Sequence, residues 1–248
     1  LTPEEAYKVL TENVLPKNKK VVWLTFDDSL RDFYTNAFPL LQKYQMRATN
    51  NVITGFVENG REDMLTLEQI KEMKQKGMSF EDHTVNHPDL SLANAETQTT
   101  ELQVSKQYLD SNLSQNTTTV AYPSGRYSET TTQIAESLGY KMGLTTNNGL
   151  ASLNDGLLTL NRIRVNPTTT AQDLLNEIAT NWKIGLSSKM SKSYSFFFCA
   201  NFSRSKRNFR FGLSLLKSFY FLILILYLLS AYLNLILIQL QIFCYIFL

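Results

Sequence analysis

Histidine is nearly absent from this 248-residue chain: there are two, His83 and His87, inside one five-residue window. Cysteine is equally scarce. Both copies, Cys199 and Cys244, lie far toward the C-terminus, so everything before them has neither a disulfide nor thiol chemistry to offer. Acidic residues stop at Glu177, while eight Lys and Arg continue from Lys183 to Lys217. Those eight come out of 24 basic residues, and all 22 Asp and Glu precede them, so the chain up to Glu177 is net acidic. An acidic body without a basic, aromatic-laced stripe excludes nucleic acid as a partner. The first residue is Leu1, so an export signal removed before this point is compatible with the chain.

What is present is a regular alternation. Val21–Asp28, which opens on an apolar run, and Arg47–Thr54, Met78–His83, Thr117–Tyr122, Lys141–Thr146 and Leu157–Val165 read as short strands. Helical patterns fall between them, at Asp32–Tyr44, from Thr66 to Gly77, at Ser91–Leu113 and at Ser128–Leu138, with a closing helix at Thr168–Trp182. Pro39 is a blemish in the first of these, and Thr66-Leu67-Glu68-Gln69 has the form of a capping box. Strands separated by helices imply a parallel sheet, and this number of them predicts an α/β fold: a distorted or incomplete, TIM-like (β/α) barrel of about seven strands. The expected division is a helical lead-in over 1–18, a catalytic domain over 19–185 and a basic, hydrophobic tail over 186–248 outside the fold.

The chemistry gathers at strand ends. Asp27 and Asp28 close the first strand, His83 and His87 the third, and the turn Pro123-Ser124-Gly125 follows the fourth. A carboxylate and two imidazoles suit zinc or a neighbouring first-row divalent ion, and three protein ligands leave a position open, which is the arrangement of a catalytic rather than a structural site. The plainer alternative is that the acids cap the next helix and the histidines are packed or surface residues. In a barrel of this kind, catalytic groups collect at the C-terminal strand tips, where all three elements fall.

Thr25-Phe26-Asp27-Asp28, His83-Thr84-Val85-Asn86-His87 and Tyr122-Pro123-Ser124-Gly125 together resemble the three leading motifs of the polysaccharide deacetylases, the NodB-like family also called carbohydrate esterase family 4. The resemblance covers roughly residues 19–182. It implies that Asp28, His83 and His87 hold a divalent metal, most simply zinc with cobalt, nickel or iron as alternatives, and that Asp27 is the general base. It further implies that the backbone N–H of Ser124 stabilises the oxyanion. Three departures stand out. Ser29 replaces the family's usual glycine, Ala121 occupies the place of an arginine that orients the base, and no third histidine exists to act as general acid. Leu160-Asn161-Arg162-Ile163-Arg164-Val165 resembles a variant late motif, with Arg162 or Arg164 available to stabilise charge or bind sugar. Tyr122, Pro123 and Arg162 are the expected substrate contacts. Tyr122 and Tyr127 are candidates to stack on sugar rings, and Asp82 is a candidate to orient a ligand histidine.

The expected activity is metal-dependent hydrolysis of linear amides: removal of N-acetyl groups from an N-acetylglucosamine-containing polysaccharide such as peptidoglycan, poly-N-acetylglucosamine or chitin oligomers. The alternatives are an O-acetyl esterase acting on a glycan such as xylan, and an inactive carbohydrate-binding domain. A secreted bacterial enzyme acting at the cell wall or cell surface follows from such a substrate, with an N-acetylated glycan as partner and no protein partner implied. The tail has two readings. Phe219–Leu248 is apolar enough to be a membrane anchor, giving membrane association. The cluster of basic residues before it would, however, orient the preceding domain toward the cytoplasm. Its loss of acidic residues and proline instead suggests out-of-frame translation of AT-rich DNA after about Gly185.

Overall fold

In the computed structural model the described residues are 1–12, 21–166, 168–174, 176–177 and 198–202. The elements are α1 (Pro3–Glu12), β1 (Val22–Phe26), α2 (Phe38–Lys43), β2 (Thr49–Val52), α3 (Thr54–Glu58), α4 (Leu67–Gln75), β3 (Ser79–Asp82), α5 (Ala95–Leu113), β4 (Thr119–Ala121), α6 (Glu129–Ser137), β5 (Met142–Leu144), β6 (Ile163–Val165) and β7 (Phe198–Phe202). The sheet has seven strands in the order β5-β4-β3-β2-β1-β7-β6, every pairing parallel. A parallel bridge between Leu144 and Leu160, just ahead of β6, brings its two edges together. This is the expected distorted barrel of α/β class.

The sheet departs from the expected layout in one respect. Strand β7 lies between β1 and β6, with Val22 opposite Phe198 and Ile163 opposite Ala200. Five residues of the segment expected outside the fold therefore complete the sheet, because β1 and β6 are not adjacent and each offers an unpaired ladder. The remaining tail, including the apolar stretch from Phe219, lies outside the described residues. So do Ile178 and Trp182 of the closing helix, of which 171–174 are helical.

Side-chain alternation along the strands separates two layers. Leu24 and Phe26 of β1, Val52 of β2 and Phe80 of β3 face the helices and join Phe33, Leu41, Ile70, Met73 and Leu109 in the outer core. Trp23 faces inward, among Ala121, Met142, Leu144 and Leu160, and donates its indole N–H to Thr49 Oγ1 (2.8 Å). Helix α1 packs Ala6, Val9 and Leu10 on the same inner cluster, closing one end of the barrel. Burying a Val or Leu side chain is worth about 1.5–3 kcal/mol, so these contacts anchor the lead-in.

Local chemistry accounts for the helix boundaries. Thr66 and Gln69 form the reciprocal cap expected at α4. The helix after β1 is divided: Phe33–Ala37 is a single π-helical stretch, which leaves Pro39 in the first turn of α2, where its missing N–H costs no hydrogen bond. The short α3 was not expected, since Gly55 reads as a strand end, and β6 is shorter than the run Leu157–Val165, whose first half is spent on turns and the edge bridge.

Candidate active site

The site sits at the C-terminal strand tips, and its backbone is strained. Seven non-glycine residues among those described have positive φ. Five belong to the three motifs: Asp28 (76°), Ser29 (50°), Thr84 (68°), His87 (57°) and Ser124 (54°). Left-handed conformations cost roughly 1–2 kcal/mol each for residues bearing a Cβ, and they persist only where surrounding contacts over-determine them. Ser29, where the family resemblance leads one to expect glycine, is held in this way. Its Oγ accepts the Ile53 N–H (3.3 Å) and its carbonyl the Leu65 N–H (2.8 Å).

Asp27 and Asp28 are neighbours in sequence with opposite surroundings. Asp27 is buried, and its Oδ1 accepts Asn51 Nδ2 (2.7 Å) and Arg162 Nη1 (3.0 Å), while Oδ2 accepts Arg162 Nη2 (2.9 Å). Burial opposes the charge on Asp27, but the Arg162 guanidinium and nearby His83 outweigh it and hold the carboxyl far below the ordinary carboxylate range. Arg162 is itself only 1% exposed and also donates to the Thr145 carbonyl (2.7 Å) and Thr25 Oγ1 (3.2 Å). The expected sugar contact at Arg162 is therefore corrected. It has no free surface and is spent on Asp27, so that an arginine just ahead of β6 makes the contact for which the family resemblance leads one to expect an arginine where Ala121 stands on β4.

The positive φ at Asp28 turns its carboxylate the other way, toward the histidines. Oδ1 lies 3.3 Å from His83 Nε2 and 3.6 Å from His87 Nε2, and one ligand atom from each of the three residues falls within 4.8 Å of the others. His83 Nδ1 donates to the Ala121 carbonyl (2.6 Å), which fixes the proton on Nδ1 and leaves the Nε2 lone pair facing Asp28. Burial disfavours the His83 imidazolium, yet Asp28 and Asp27 prevail and raise its pKa; His87 is lowered by its burial and by His83 beside it. A carboxylate and two imidazoles converging with the tautomer already set are a donor set that fits a divalent cation.

The loop between the histidines is built by its own residues and by α5. His87 N–H donates to Thr84 Oγ1 (3.0 Å), and Thr84 N–H to Asp82 Oδ1 (2.7 Å). Asp82 is otherwise engaged by the hydroxyls of Ser105 and Tyr140, and burial raises its pKa to about 6. It faces the helices and does not touch the ring of His83, so the expectation that it orients a ligand imidazole is replaced by the Ala121 carbonyl. Glu101, from the long polar helix, receives the Val85 and Asn86 N–H groups.

In the third motif, Ser124 is exposed and its carbonyl accepts Thr146 Oγ1 (3.3 Å). Gly125 is required here: its φ is +70°, and a Cβ would stand 2.1 Å from Thr146 Oγ1. Tyr122 and Pro123 do not line the site as expected. Tyr122 is fully buried, donates its hydroxyl to the Leu158 carbonyl (2.9 Å) and stacks on Tyr127 with centroids 5.0 Å apart. Pro123 is buried as well. The alternation that sends Ala121 inward sends Tyr122 out under α6, because successive side chains on a strand face opposite ways. Arg164 is exposed and makes no contact with Asp27.

Sequence reasoning missed Asn51, Glu101 and Ser105. Asn51 sits in a strand that already reads as polar, Thr49-Asn50-Asn51, and Glu101 and Ser105 looked like ordinary polar positions of a surface helix.

Comparison with known proteins agrees with this geometry. The family model for polysaccharide deacetylases matches residues 15–143. The Bacillus subtilis protein YxkH, named as a polysaccharide deacetylase, is 44% identical over 167 residues, covering 67% of this chain and 59% of its own length. The poly-beta-1,6-N-acetyl-D-glucosamine N-deacetylase of Staphylococcus aureus is 34% identical over 139 residues, covering 51% of this chain and 48% of its own. The chain thus spans about half to three fifths of the length of these relatives. Among solved structures, the deacetylase PplD of Streptococcus pyogenes in complex with acetate superposes with a TM-score of 0.70 at 60% identity, over 71% of this chain and 78% of that one. IcaB from Ammonifex degensii gives 0.62 at 28% identity, over 73% and 80%. With the motifs, the distorted barrel and these matches in agreement, the chain belongs to the polysaccharide deacetylase family.

Proposed function

We propose that this protein is a metal-dependent N-deacetylase acting on an N-acetylglucosamine-containing polysaccharide. The observation that carries the reading is the convergence of Asp28, His83 and His87 beside a separately buried, arginine-held Asp27. Asp28, His83 and His87 would hold the cation, zinc fitting this donor set well. Such an ion supplies Lewis acidity, polarising an acyl carbonyl and lowering the pKa of water.

The chain's own groups do the rest. Asp27 remains ionised through the neutral range because Arg162 keeps it so, and its Oδ2, which accepts one hydrogen bond where Oδ1 accepts two, is the oxygen placed to take a proton from water. The water oxygen bonds to the acetamide carbon, and the Ser124 N–H donates to the oxyanion that results. The carbon–nitrogen bond then breaks, releasing acetate. With no third histidine in the chain, Asp27 returns its proton to the departing amine, serving as base and then acid.

The S. aureus relative is named for poly-β-1,6-N-acetylglucosamine, which makes that polymer the first substrate to try, with peptidoglycan and chitin oligomers beside it. Polymers of this kind lie outside the cell, so we place the enzyme at the bacterial surface or beyond. The deciding assay is acetate release from these glycans by zinc-loaded protein. Release from acetylated xylan alone would favour an O-acetyl esterase. Stoichiometric zinc binding with no acetate from any of them would overturn the enzyme in favour of a binding module.

A further inference from the structure

The segment between the two histidine ligands, Thr84-Val85-Asn86, carries no metal-binding side chain in this cluster, yet its shape decides whether the two rings meet. Thr84 and His87 both have positive φ, so the loop sits in a conformation that isolated peptides avoid. Its outward carbonyls are taken by α3: Thr54 N–H donates to the Thr84 carbonyl and Gly55 N–H to the Val85 carbonyl, each at 3.0 Å. Gly55 admits this approach because a Cβ there would stand 2.7 Å from the Val85 oxygen.

The amides of the loop point the other way and converge on one side chain. Val85 N–H (2.9 Å) and Asn86 N–H (2.8 Å) both donate to Glu101 Oε2, and Asn86 Nδ2 donates to Oε1 (2.8 Å). Glu101 is 7% exposed, stands mid-helix on α5 and lies one turn before Ser105, which reaches Asp82 in the same loop's foundation. We propose that Glu101 is a positioning residue for the metal centre: its carboxylate clamps the backbone amides between His83 and His87 and so holds the two imidazoles in register. Hydrogen bonds to an ionised acceptor are about twice as strong as neutral ones, and two of them on adjacent amides leave the loop little freedom to relax the positive φ of Thr84 and His87 on either side. The carboxylate also places a negative charge behind a site that receives a cation. Every one of its three hydrogen bonds goes to Val85 or Asn86, two of the three residues between the ligands, not to the helical scaffold.

The inference rests on the metal-dependent reading above. It is tested on the full-length protein by zinc affinity from chelator competition and by the visible spectrum of the cobalt-substituted form, neither of which needs turnover. Residues that hold ligands in place typically cost about 10–100-fold in affinity when removed. Glu101→Ala is expected to bind zinc that much more weakly and to alter the cobalt spectrum. Glu101→Gln, which keeps an oxygen for both amides and can face a flipped Asn86 amide, is expected to restore most of the affinity while falling roughly three-fold or more short of the parent, since the charge is gone. Parent protein that binds no zinc would overturn the metal reading itself. Parent binding with Glu101→Ala at equal affinity and unchanged spectrum would overturn only the role of Glu101. Should the alanine variant fail to fold, the glutamine variant decides: affinity equal to the parent overturns the proposal.

Discussion

The two halves of the active site hold their groups by opposite means. On the side of β1 and β6, Asp27 is fixed by side chains alone: a guanidinium pair from Arg162 and an amide from Asn51, all buried in the barrel. On the side of β3 and α5, the histidines are fixed mainly through backbone, in a loop of positive φ angles held by Thr84, Glu101 and the N-terminal amides of α3. The difference matches what each half must do. A general base needs one ionisation state, which a buried counter-charge secures. A ligand pair needs a fixed geometry above all: the Asp28 carboxylate faces both Nε2 atoms, and the restraint is applied to the peptide chain between the rings.

Because the halves are built separately, they should fail separately. Asp27→Asn should lower turnover by about 10²–10⁴-fold, the usual contribution of a general base, while leaving zinc affinity near the parent value. Acetate release and chelator competition on one sample check both parts. Loss of zinc binding in this variant would show that the halves are coupled.

Arg162→Met should come next. Leaving the Asp27 carboxylate buried and unpaired costs about 3–5 kcal/mol of stability. The sign with pH follows from the direction of the Asp27 shift. A carboxyl held below its ordinary range contributes stability above its unfolded pKa of about 3.9, and that contribution is lost as pH falls below it. The gap in unfolding free energy between parent and variant should therefore be full at neutral pH and narrow in acid. The acid limb of kcat/KM should also move to higher pH in the variant, since Asp27 then protonates more easily. A gap that stays constant down to pH 2 would rule out the pairing as its source.

Chelation acts on the other half. At zinc concentrations of 100 to 1,000 times Kd, binding to the native state adds about 3–4 kcal/mol, so a chelator should lower the melting temperature and added zinc should restore it. The same loss in Arg162→Met, measured as the shift between zinc-loaded and stripped protein, would confirm that the two halves are independent. The smallest effect is expected at Ser29. Ser29→Gly relieves a positive φ but removes the Oγ bond to Ile53, and the two nearly cancel, leaving a change within about 1 kcal/mol in thermal unfolding.

How far the site was legible from sequence depended on the range over which each group acts. Asp28, His83 and His87 were readable as candidate ligands because metal coordination draws on few residue types, and here two of the three fall within five positions of one another. Arg162 was readable as a candidate but not in its role: its partner is 135 residues away, and a strand-end arginine looks the same whether it points at sugar or at a buried carboxylate. Tyr122 was misplaced because a one-residue step along a strand moves a side chain from the barrel interior to the helix layer. Asn51 and Glu101 contact the site only after β2 and α5 dock, and Glu101 has the spacing of any polar helix position.

By itself the sequence determined the class of fold, through alternating strand and helix patterns, and singled out the candidate ligands Asp28, His83 and His87 by residue type and the candidate base Asp27 by family resemblance. The tertiary structure alone decided which arginine pairs with Asp27, which way Tyr122 faces, what holds the histidine loop, and that Phe198–Phe202 stands between β1 and β6. The physical reason is common to all four. Each is a contact between segments distant in the chain, settled by the closure of the barrel and the register of its strands, and no local pattern of residues encodes which partner will arrive.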